Sequence, residues 1–261
     1  MIALVGVVLL GFVAVDIILS SLGAGAKGPL APRVAQSVFA VTKLLPDRPV
    51  VHRICGPAVM VGVGGVWVVA MCASWTMILM ADDSAVLQQS DQSPASLAGR
   101  AIFAGHLLST LGGGQHQTGS ELWGAVATMI GVSGMVVLTL SVSFVYSTTQ
   151  AVSTGRAILA LADTHGPGSG HFDTVLLPQI ATLVAQVKAI PFSLYFSTVR
   201  PERRLPEALA RLHGDTRLTQ DQQVRLEVLL SEMPGLEGLS GNAFEAAFDD
   251  WVRRYTLTPV S

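Results

Sequence analysis

Three long apolar stretches constrain this chain more than any other feature. Met1–Leu22 is almost continuously apolar and is interrupted by Asp16, and two later stretches, Pro57–Ala81 and Gly124–Thr148, contain no charged residue. A helix of about 20 apolar residues spans the roughly 30 Å hydrocarbon core of a bilayer. The sequence therefore predicts an all-α membrane protein with three transmembrane helices.

The composition agrees with this class and excludes several others. Half of the residues are hydrophobic and 13% are charged, whereas a soluble domain carries about 25% charged residues. The net charge of -2 gives no basis for a nucleic-acid partner. Cys55 and Cys72 are too few for a disulfide framework and lack the spacing of a zinc site. We expect no cofactor and no nucleic-acid partner.

Basic residues indicate the orientation in the membrane. The loop between the first two stretches contains Lys27, Arg33, Lys43, Arg48 and Arg53. Residues 82–123 contain a single arginine and four acidic residues, namely Arg100, Asp82, Asp83, Asp91 and Glu121. Because lysine and arginine stay on the cytoplasmic side, we expect the N-terminus outside and the C-terminus in the cytoplasm.

The long C-terminal segment has helical periodicity and no pattern typical of strands. Glycine and proline residues within 164–170 predict a break in the chain, and helices are expected at 172–187, 205–212, 219–232 and 243–255. Thr219 and Gln222 have the spacing of a capping box. In the first loop, residues 32–45 predict a short interfacial helix.

A shorter apolar segment lies between the second and third stretches. Leu97–Ser109 is too short to cross a membrane, and it is followed directly by Thr110–Gly114, in which three consecutive residues are glycine. Non-helical backbone at membrane depth is tolerated only where it is buried in protein or lines water. This order predicts a re-entrant pore helix followed by a loop that lines a pore.

The five residues Thr110-Leu111-Gly112-Gly113-Gly114 resemble the T-x-G-x-G selectivity filter of the tetrameric potassium-channel superfamily. The order of outer helix, pore helix, filter and inner helix is also similar. The resemblance implies a homotetramer in a bacterial inner (plasma) membrane and passive transport of monovalent cations, with potassium as the first expectation. Lipid and the permeating cations are then the other partners, and no further metal is implied.

The same resemblance implies roles for individual residues. The carbonyls of the filter, together with the Thr110 hydroxyl, would bind the ion, and Gly134, with Gly131 one turn earlier, would form a gating hinge. Gln115 and Glu121 would stand at the outer mouth. Gly113 occupies the position of the family's usual tyrosine or phenylalanine, and Gln115 that of its aspartate. These departures imply weak selectivity, as in a bacterial ion-channel-like membrane protein with a non-standard filter.

Parts of the sequence are also compatible with two other functions. A non-conducting, membrane-anchored sensor or scaffold would have the same helices and would bind a partner through its helical tail. Residues 131–134 match the G-x-S-G motif of intramembrane serine proteases. A serine nucleophile needs a nearby base, and none of the three apolar stretches contains a histidine. We therefore expect no enzymatic activity.

The expectations divide the chain into four segments. Residues 1–24 form an extra N-terminal transmembrane helix, 25–56 a cytoplasmic basic loop, 57–149 the pore domain and 150–261 a cytoplasmic helical domain. For single residues, we expect Asp16 either to extend to the membrane interface or to make a hydrogen bond between helices, and His106 to pack in the interior. Arg100 and His116 are expected to be solvated.

Overall fold

A computed structural model describes residues 1–22 and 28–257, and this part of the chain is mainly helical. The helices are α1 (Ile2–Ser21), α2 (Ala31–Lys43), α3 (Pro49–Leu79), α4 (Leu97–Leu108), α5 (Glu121–His165), α6 (Leu177–Ala189), α7 (Leu205–His213), α8 (Gln220–Leu230) and α9 (Gly241–Tyr255). Two short strands, β1 (Leu87–Gln88) and β2 (His116–Gln117), pair in an antiparallel sheet. Lys27, one of the cations used to predict the orientation, lies outside the described residues.

Helices α1, α3 and α5 are long and apolar enough to cross a membrane, which confirms the three predicted spans. One boundary differs from the prediction. Helix α3 begins at Pro49, in a first turn where proline is well tolerated, and continues through Pro57. Helix α5 continues past Thr148 to His165 and ends at the predicted cluster of glycine and proline residues, as expected.

The chain forms two compact units that group its segments differently from the four predicted ones. Unit 1 comprises residues 1–22, 28–31 and 62–144, and unit 2 comprises residues 32–61 and 145–257. The basic loop that follows α1 therefore falls mostly within the same unit as the C-terminal helices. The boundary between the units passes through the continuous helices α3 and α5.

Asp16 is a buried polar centre of unit 1. Its carboxylate is fully buried and accepts a hydrogen bond of 2.7 Å from the Trp67 indole. The backbone N–H groups of Leu30 and Ala31 donate to the same carboxylate at 2.6 and 3.2 Å. Because α2 begins at Ala31, Asp16 also satisfies free N–H groups at a helix N-terminus. The prediction of a hydrogen bond between helices is confirmed.

Unit 2 has an apolar core built by α6 to α9 and the C-terminal part of α5. Its largest fully buried members include Phe172, Leu176, Ile180, Leu183, Leu194, Leu209 and Phe244. The capping box of Thr219 and Gln222 is present at the start of α8. The helix expected at 172–187 begins instead with a π-helical turn, Phe172–Leu176, before α6.

Helix α2 packs within unit 2 through a face that includes Ala35, Phe39 and Thr42. The ring of Phe39 lies 5.2 Å from that of Tyr195. Lys43 Nζ donates to the carbonyls of Arg253 and Arg254, in the last turn of α9, at 3.0 and 2.8 Å. A cation at this position complements the partial negative charge of the helix C-terminus. Burial lowers the pKa of the Lys43 ammonium.

Candidate functional site

Helix α4 leads into the glycine-rich segment, which we call the filter loop (Thr110–Gly114). Ser96 caps the start of α4 by accepting a hydrogen bond from the Gly99 N–H group. At the other end, the N–H groups of Thr110 and Leu111 donate to the carbonyls of Leu107 and His106 at 3.0 and 2.8 Å. These two bonds form a Schellman motif, a common way to end a helix.

Thr110 occupies the position of this motif that normally holds glycine. Its φ angle is +60°, a left-handed conformation that costs a residue with a Cβ roughly 1–2 kcal/mol. A β-branched residue in this region is unusual, and such strain is concentrated at functional sites. The structure thus places the Thr110 hydroxyl at the start of the filter loop despite an energetic cost.

Positive φ angles recur at every second residue of the filter loop. They are +60° at Thr110, +83° at Gly112 and +62° at Gly114, and no positive φ occurs at Leu111 or Gly113. In a regular strand, successive side chains and carbonyls alternate between two faces. Left-handed φ angles at every second residue show that the loop does not follow this regular strand alternation. A loop that lines an ion path with carbonyls must likewise depart from a regular strand.

The neighbours of the last two glycines, Gly113 and Gly114, leave little space for a side chain at either position. A Cβ at Gly113 would lie 2.5 Å from the His116 carbonyl oxygen and 3.1 Å from the Phe103 ring. A Cβ at Gly114 would lie 2.7 Å from Nδ1 of His106. No tyrosine or phenylalanine fits at Gly113, and two rings of α4, those of Phe103 and His106, contact the backbone of Gly113 and Gly114.

Gly112, the first of the three glycines, has a different environment. A Cβ at Gly112 would meet no atom within 4 Å, so its positive φ, rather than a lack of space, favours glycine there. Thr110, Leu111 and Gly112 are exposed in the single chain, and the Leu111 side chain is 73% exposed.

Two residues that were expected to be solvated are packed. Arg100 is buried and donates to the carbonyls of Ala95 and Leu79 and to the Asp83 carboxylate, each at 3.1 Å. It thereby ties the first turn of α4 to the end of α3. The His116 ring lies 6.5 Å from the Phe103 ring in an edge-on arrangement. The prediction of solvation was wrong for both residues, whereas His106 is half-buried against Gly114, as expected.

The chain that follows the filter loop is anchored to the segment after α3. Strand β2 pairs with β1, and the N–H group of Gln89 donates to the carbonyl of Gln115 at 3.0 Å. These strands could not be predicted from the sequence, because two residues are too few to show a pattern. Gln115 is exposed, as is Glu121, which begins α5.

Asp82 provides a second anchor for the segment between α3 and α5. The amide and hydroxyl of Ser84 and the indole of Trp123 donate to its carboxylate. These donors stabilise the charged form and lower the pKa of the Asp82 carboxyl. The start of α5, near Trp123, is thus fixed to the end of α3.

The two glycines predicted to form a hinge lie where α5 meets the end of α4. A Cβ at Gly134 would lie 2.2 Å from the Leu108 carbonyl oxygen, and one at Gly131 would lie 3.8 Å from that of Leu107. Close backbone contact explains why glycine is needed at 134. Helix α5 is continuous through both positions, and the gating role stays a prediction.

The contact at Gly134 also gives the depth of the filter loop. Gly134 is about 20 Å along α5 from Glu121, at 1.5 Å per residue. The C-terminal end of α4 therefore lies beside the apolar part of α5, far from the start of that helix. The N-terminal ends of α4 and α5 both lie near the end of α3.

A cavity of about 410 Å³ lies beside the end of α4. Residues of α3, α5 and the filter loop line it, and Ser109, Thr110 and Ser141 are the hydroxyl-bearing residues in this lining. Other lining residues, such as Val68 and Val137, are apolar. The start of the filter loop and α5, the helix that was predicted to line a pore, therefore face the same cavity.

These features define a helical membrane protein in which a short helix and a glycine-rich loop lie between the second and third candidate spans. The chain is similar to the "Uncharacterized membrane protein YdjJ" of Bacillus subtilis (strain 168), with 26% identity over 115 residues. The match covers 44% of this chain and 34% of the relative, so it spans about a third of that protein. No protein-family model matches the chain, and no solved structure matches it. The relative and the apolar helices place the protein in a membrane.

Proposed function

We propose that the protein is one subunit of a tetrameric pore-loop channel that passes monovalent cations, with a weak preference for potassium. The observation that carries the proposal is the backbone of the filter loop. Left-handed φ angles at Thr110, Gly112 and Gly114 follow a short helix that ends deep beside α5. The Schellman motif accounts for left-handed backbone at residue 110, but it requires neither a β-branched residue there nor the further left-handed angles at Gly112 and Gly114.

The path of the chain supports a re-entrant loop. Helix α4 begins beside the end of α3, where Arg100 donates to the Leu79 carbonyl, and it ends beside Gly134. The filter loop then returns to β2, which pairs with β1. The chain therefore enters and leaves the membrane on one side, which is the outer side in the proposed orientation.

The exposed filter loop supports assembly around an axis. Thr110, Leu111 and Gly112 are exposed in one chain, and irregular backbone at membrane depth must be buried in protein or line water. A ring of four subunits meets both requirements, because the loops cover one another and enclose a path for ions.

In this assembly the protein replaces the hydration shell of the ion. The carbonyls of residues 110–113 and the Thr110 hydroxyl are the proposed ligands. Of these, the Gly113 carbonyl also accepts a hydrogen bond of 3.2 Å from the His116 N–H group. The C-terminal end of α4 adds partial negative charge beside the path. The rings behind Gly113 and Gly114 restrain one end of the loop, whereas Gly112 has open space around it. This uneven support is consistent with weak selectivity.

Flux measurements on the purified full-length protein in liposomes test the proposal. Gly112→Val should abolish potassium flux, since it forces a β-branched side chain into a left-handed position of the filter. Gly11→Val is the matched control, because a Cβ at Gly11 in α1 also meets no atom within 4 Å. Comparing sodium with potassium measures selectivity, and light scattering of the protein in detergent measures the assembly.

Two results would contradict the channel. Flux that persists unchanged in an assembled Gly112→Val protein would show that the filter assignment is wrong. Absence of flux in the unmodified protein under any ionic condition would favour the non-conducting sensor or scaffold, which requires no fourfold assembly.

A further inference from the structure

Unit 2 contains a second polar cavity, of about 500 Å³. Three arginines from separate parts of the chain line it: Arg53 of α3, Arg156 of α5 and Arg200 of the loop between α6 and α7. Ser197 and Thr198 contribute hydroxyl-bearing side chains, and no carboxylate occurs among the lining residues, all of which lie in the described part of the chain. We call this the arginine cavity.

The loop that carries Arg200 is held by several buried or partly buried hydrogen bonds. His52 is buried, and its Nδ1 lies 2.8 Å from the Ser197 hydroxyl and its Nε2 2.7 Å from the Asp47 carboxylate. Arg204 Nε donates to the Thr198 carbonyl at 2.8 Å. These contacts fix the main chain on both sides of the cavity lining.

Two further contacts join this loop to the helices that carry the other arginines. Nη2 of Arg156 donates to the Ser197 carbonyl at 3.4 Å. The Phe196 ring packs so closely on α3 that a Cβ at Gly56 would lie 2.5 Å from it. The main chain of the cavity wall is therefore preorganised, and the exposed side chains of the three arginines extend from it.

The charge of the arginine cavity is not neutralised within residues 1–22 and 28–257. Arg203, Arg217 and Arg225 each pair with a nearby aspartate. None of Arg53, Arg156 and Arg200 forms an ion pair in the described part of the chain. Several cations around one cavity focus a positive potential that attracts an anion.

We propose that the arginine cavity binds a phosphate group, carried either by an anionic phospholipid or by a soluble phosphate compound. The planar guanidinium groups donate several hydrogen bonds in a geometry that suits phosphate oxygens. Arg53 precedes Pro57, where the apolar stretch begins, by about 6 Å of helix. In the proposed orientation this is the cytoplasmic surface, where anionic headgroups are concentrated.

Binding to the full-length protein in a neutral detergent tests this site independently of ion flux. The probes are dioctanoyl phosphatidic acid, the phosphate-free dioctanoylglycerol, inorganic phosphate and ATP, measured by calorimetry. Arg53→Gln, Arg156→Gln and Arg200→Gln are compared with Arg225→Gln, an exposed arginine paired with Asp221 outside the cavity. Thermal unfolding without ligand shows whether each variant is folded.

We expect saturable binding of at least one phosphate compound and none of dioctanoylglycerol. Each cavity variant should weaken binding by about tenfold or more, because each removes hydrogen bonds from a guanidinium cation to the phosphate. The control Arg225→Gln should leave binding unchanged. Stronger binding of phosphatidic acid identifies a lipid headgroup, and stronger binding of phosphate or ATP identifies a soluble ligand. Absence of saturable binding, or equal binding by folded cavity variants and the control, would overturn the proposal.

Discussion

The two compact units use apolar side chains in different ways. In unit 2 they form an interior, in which residues such as Leu183 and Phe244 are fully buried. In unit 1 many apolar side chains face outward, and Leu4 and Val69, for example, are each 68% exposed. Two charged residues of unit 1, Asp16 and Arg100, are instead buried and paired.

This difference shows that the solvent changes which contacts specify a fold. In water, burial of apolar surface is the main driving force. In a bilayer, apolar side chains gain little from leaving lipid, and close backbone packing and hydrogen bonds hold helices together. We therefore expect unit 1 to depend on a few glycines and polar residues and unit 2 on its apolar core.

Among the substitutions that test this difference between the two units, Gly134→Val is expected to cause the largest loss of stability. Gly134→Val places a side chain where the Leu108 backbone stands, since even a Cβ would be 2.2 Å from its carbonyl oxygen. Because backbone cannot move aside locally, we expect a loss of at least about 3 kcal/mol or failure to assemble. Size-exclusion chromatography and thermal unfolding in detergent measure this. Gly11→Val should be close to neutral, and equal behaviour of the two variants would contradict the packing argument.

A smaller but substantial effect is expected at Asp16. Asp16→Ala leaves the Trp67 indole and the N–H groups of Leu30 and Ala31 without their acceptor. Each unsatisfied buried donor costs about 1–3 kcal/mol, so the total should be roughly 3 kcal/mol or more. Trp67→Phe removes one donor and should cost about 1–2 kcal/mol. A stability change below that of Trp67→Phe would show that the carboxylate does not organise unit 1.

A pair of leucine truncations compares the two solvents directly. Leu183→Ala in the core of unit 2 should cost about 3 kcal/mol, because the side chain is fully buried and its removal leaves a cavity. Leu4→Ala on the exposed face of α1 should cost about 0.5 kcal/mol or less. Denaturation curves of the two variants measure the difference. Similar losses would mean that unit 1 also relies on an apolar interior at this position.

The smallest expected effect is the loss of structure at acid pH in the segment between α3 and α5. The pKa of Asp82 lies below its ordinary value of 3.8 because Ser84 and Trp123 donate to the carboxylate. A carboxyl whose pKa is lowered by folding stabilises the fold above its unfolded pKa, and this is lost as the pH falls through the folded value. Tryptophan fluorescence should therefore stay constant from pH 7 to about pH 4 and change only below that. Asp82→Asn should remove this acid transition, and a transition retained in that variant would assign it to another group.

Much of the fold could be predicted because its signals are local in sequence. The three spans, the short helix α4 and the capping box at Thr219 each occupy one continuous stretch. The start of α3 was misplaced because Pro49 and Pro57 are both suitable for a first helical turn, and only the structure shows which one begins the helix.

The site was predictable only in part, since several of its contacts join distant residues or use the backbone. The partners of Arg100 include two carbonyl groups, which carry no side-chain signal. The absence of an aromatic residue at Gly113 was visible, but its cause, the His116 carbonyl and the Phe103 ring, was not. His52 and Ser197 are 145 positions apart in the chain, so no motif reveals the wall of the arginine cavity.

The central claim, that residues 110–114 line an ion path on a fourfold axis, has a direct structural test. Thallium(I) is a heavy monovalent cation that substitutes for potassium and scatters anomalously, so a crystal of the full-length protein soaked with it shows where ions bind. We predict anomalous density on a fourfold axis, level with the carbonyls of residues 110–113. A tetramer without density at this level, or an assembly that keeps the filter loops apart, would contradict the channel.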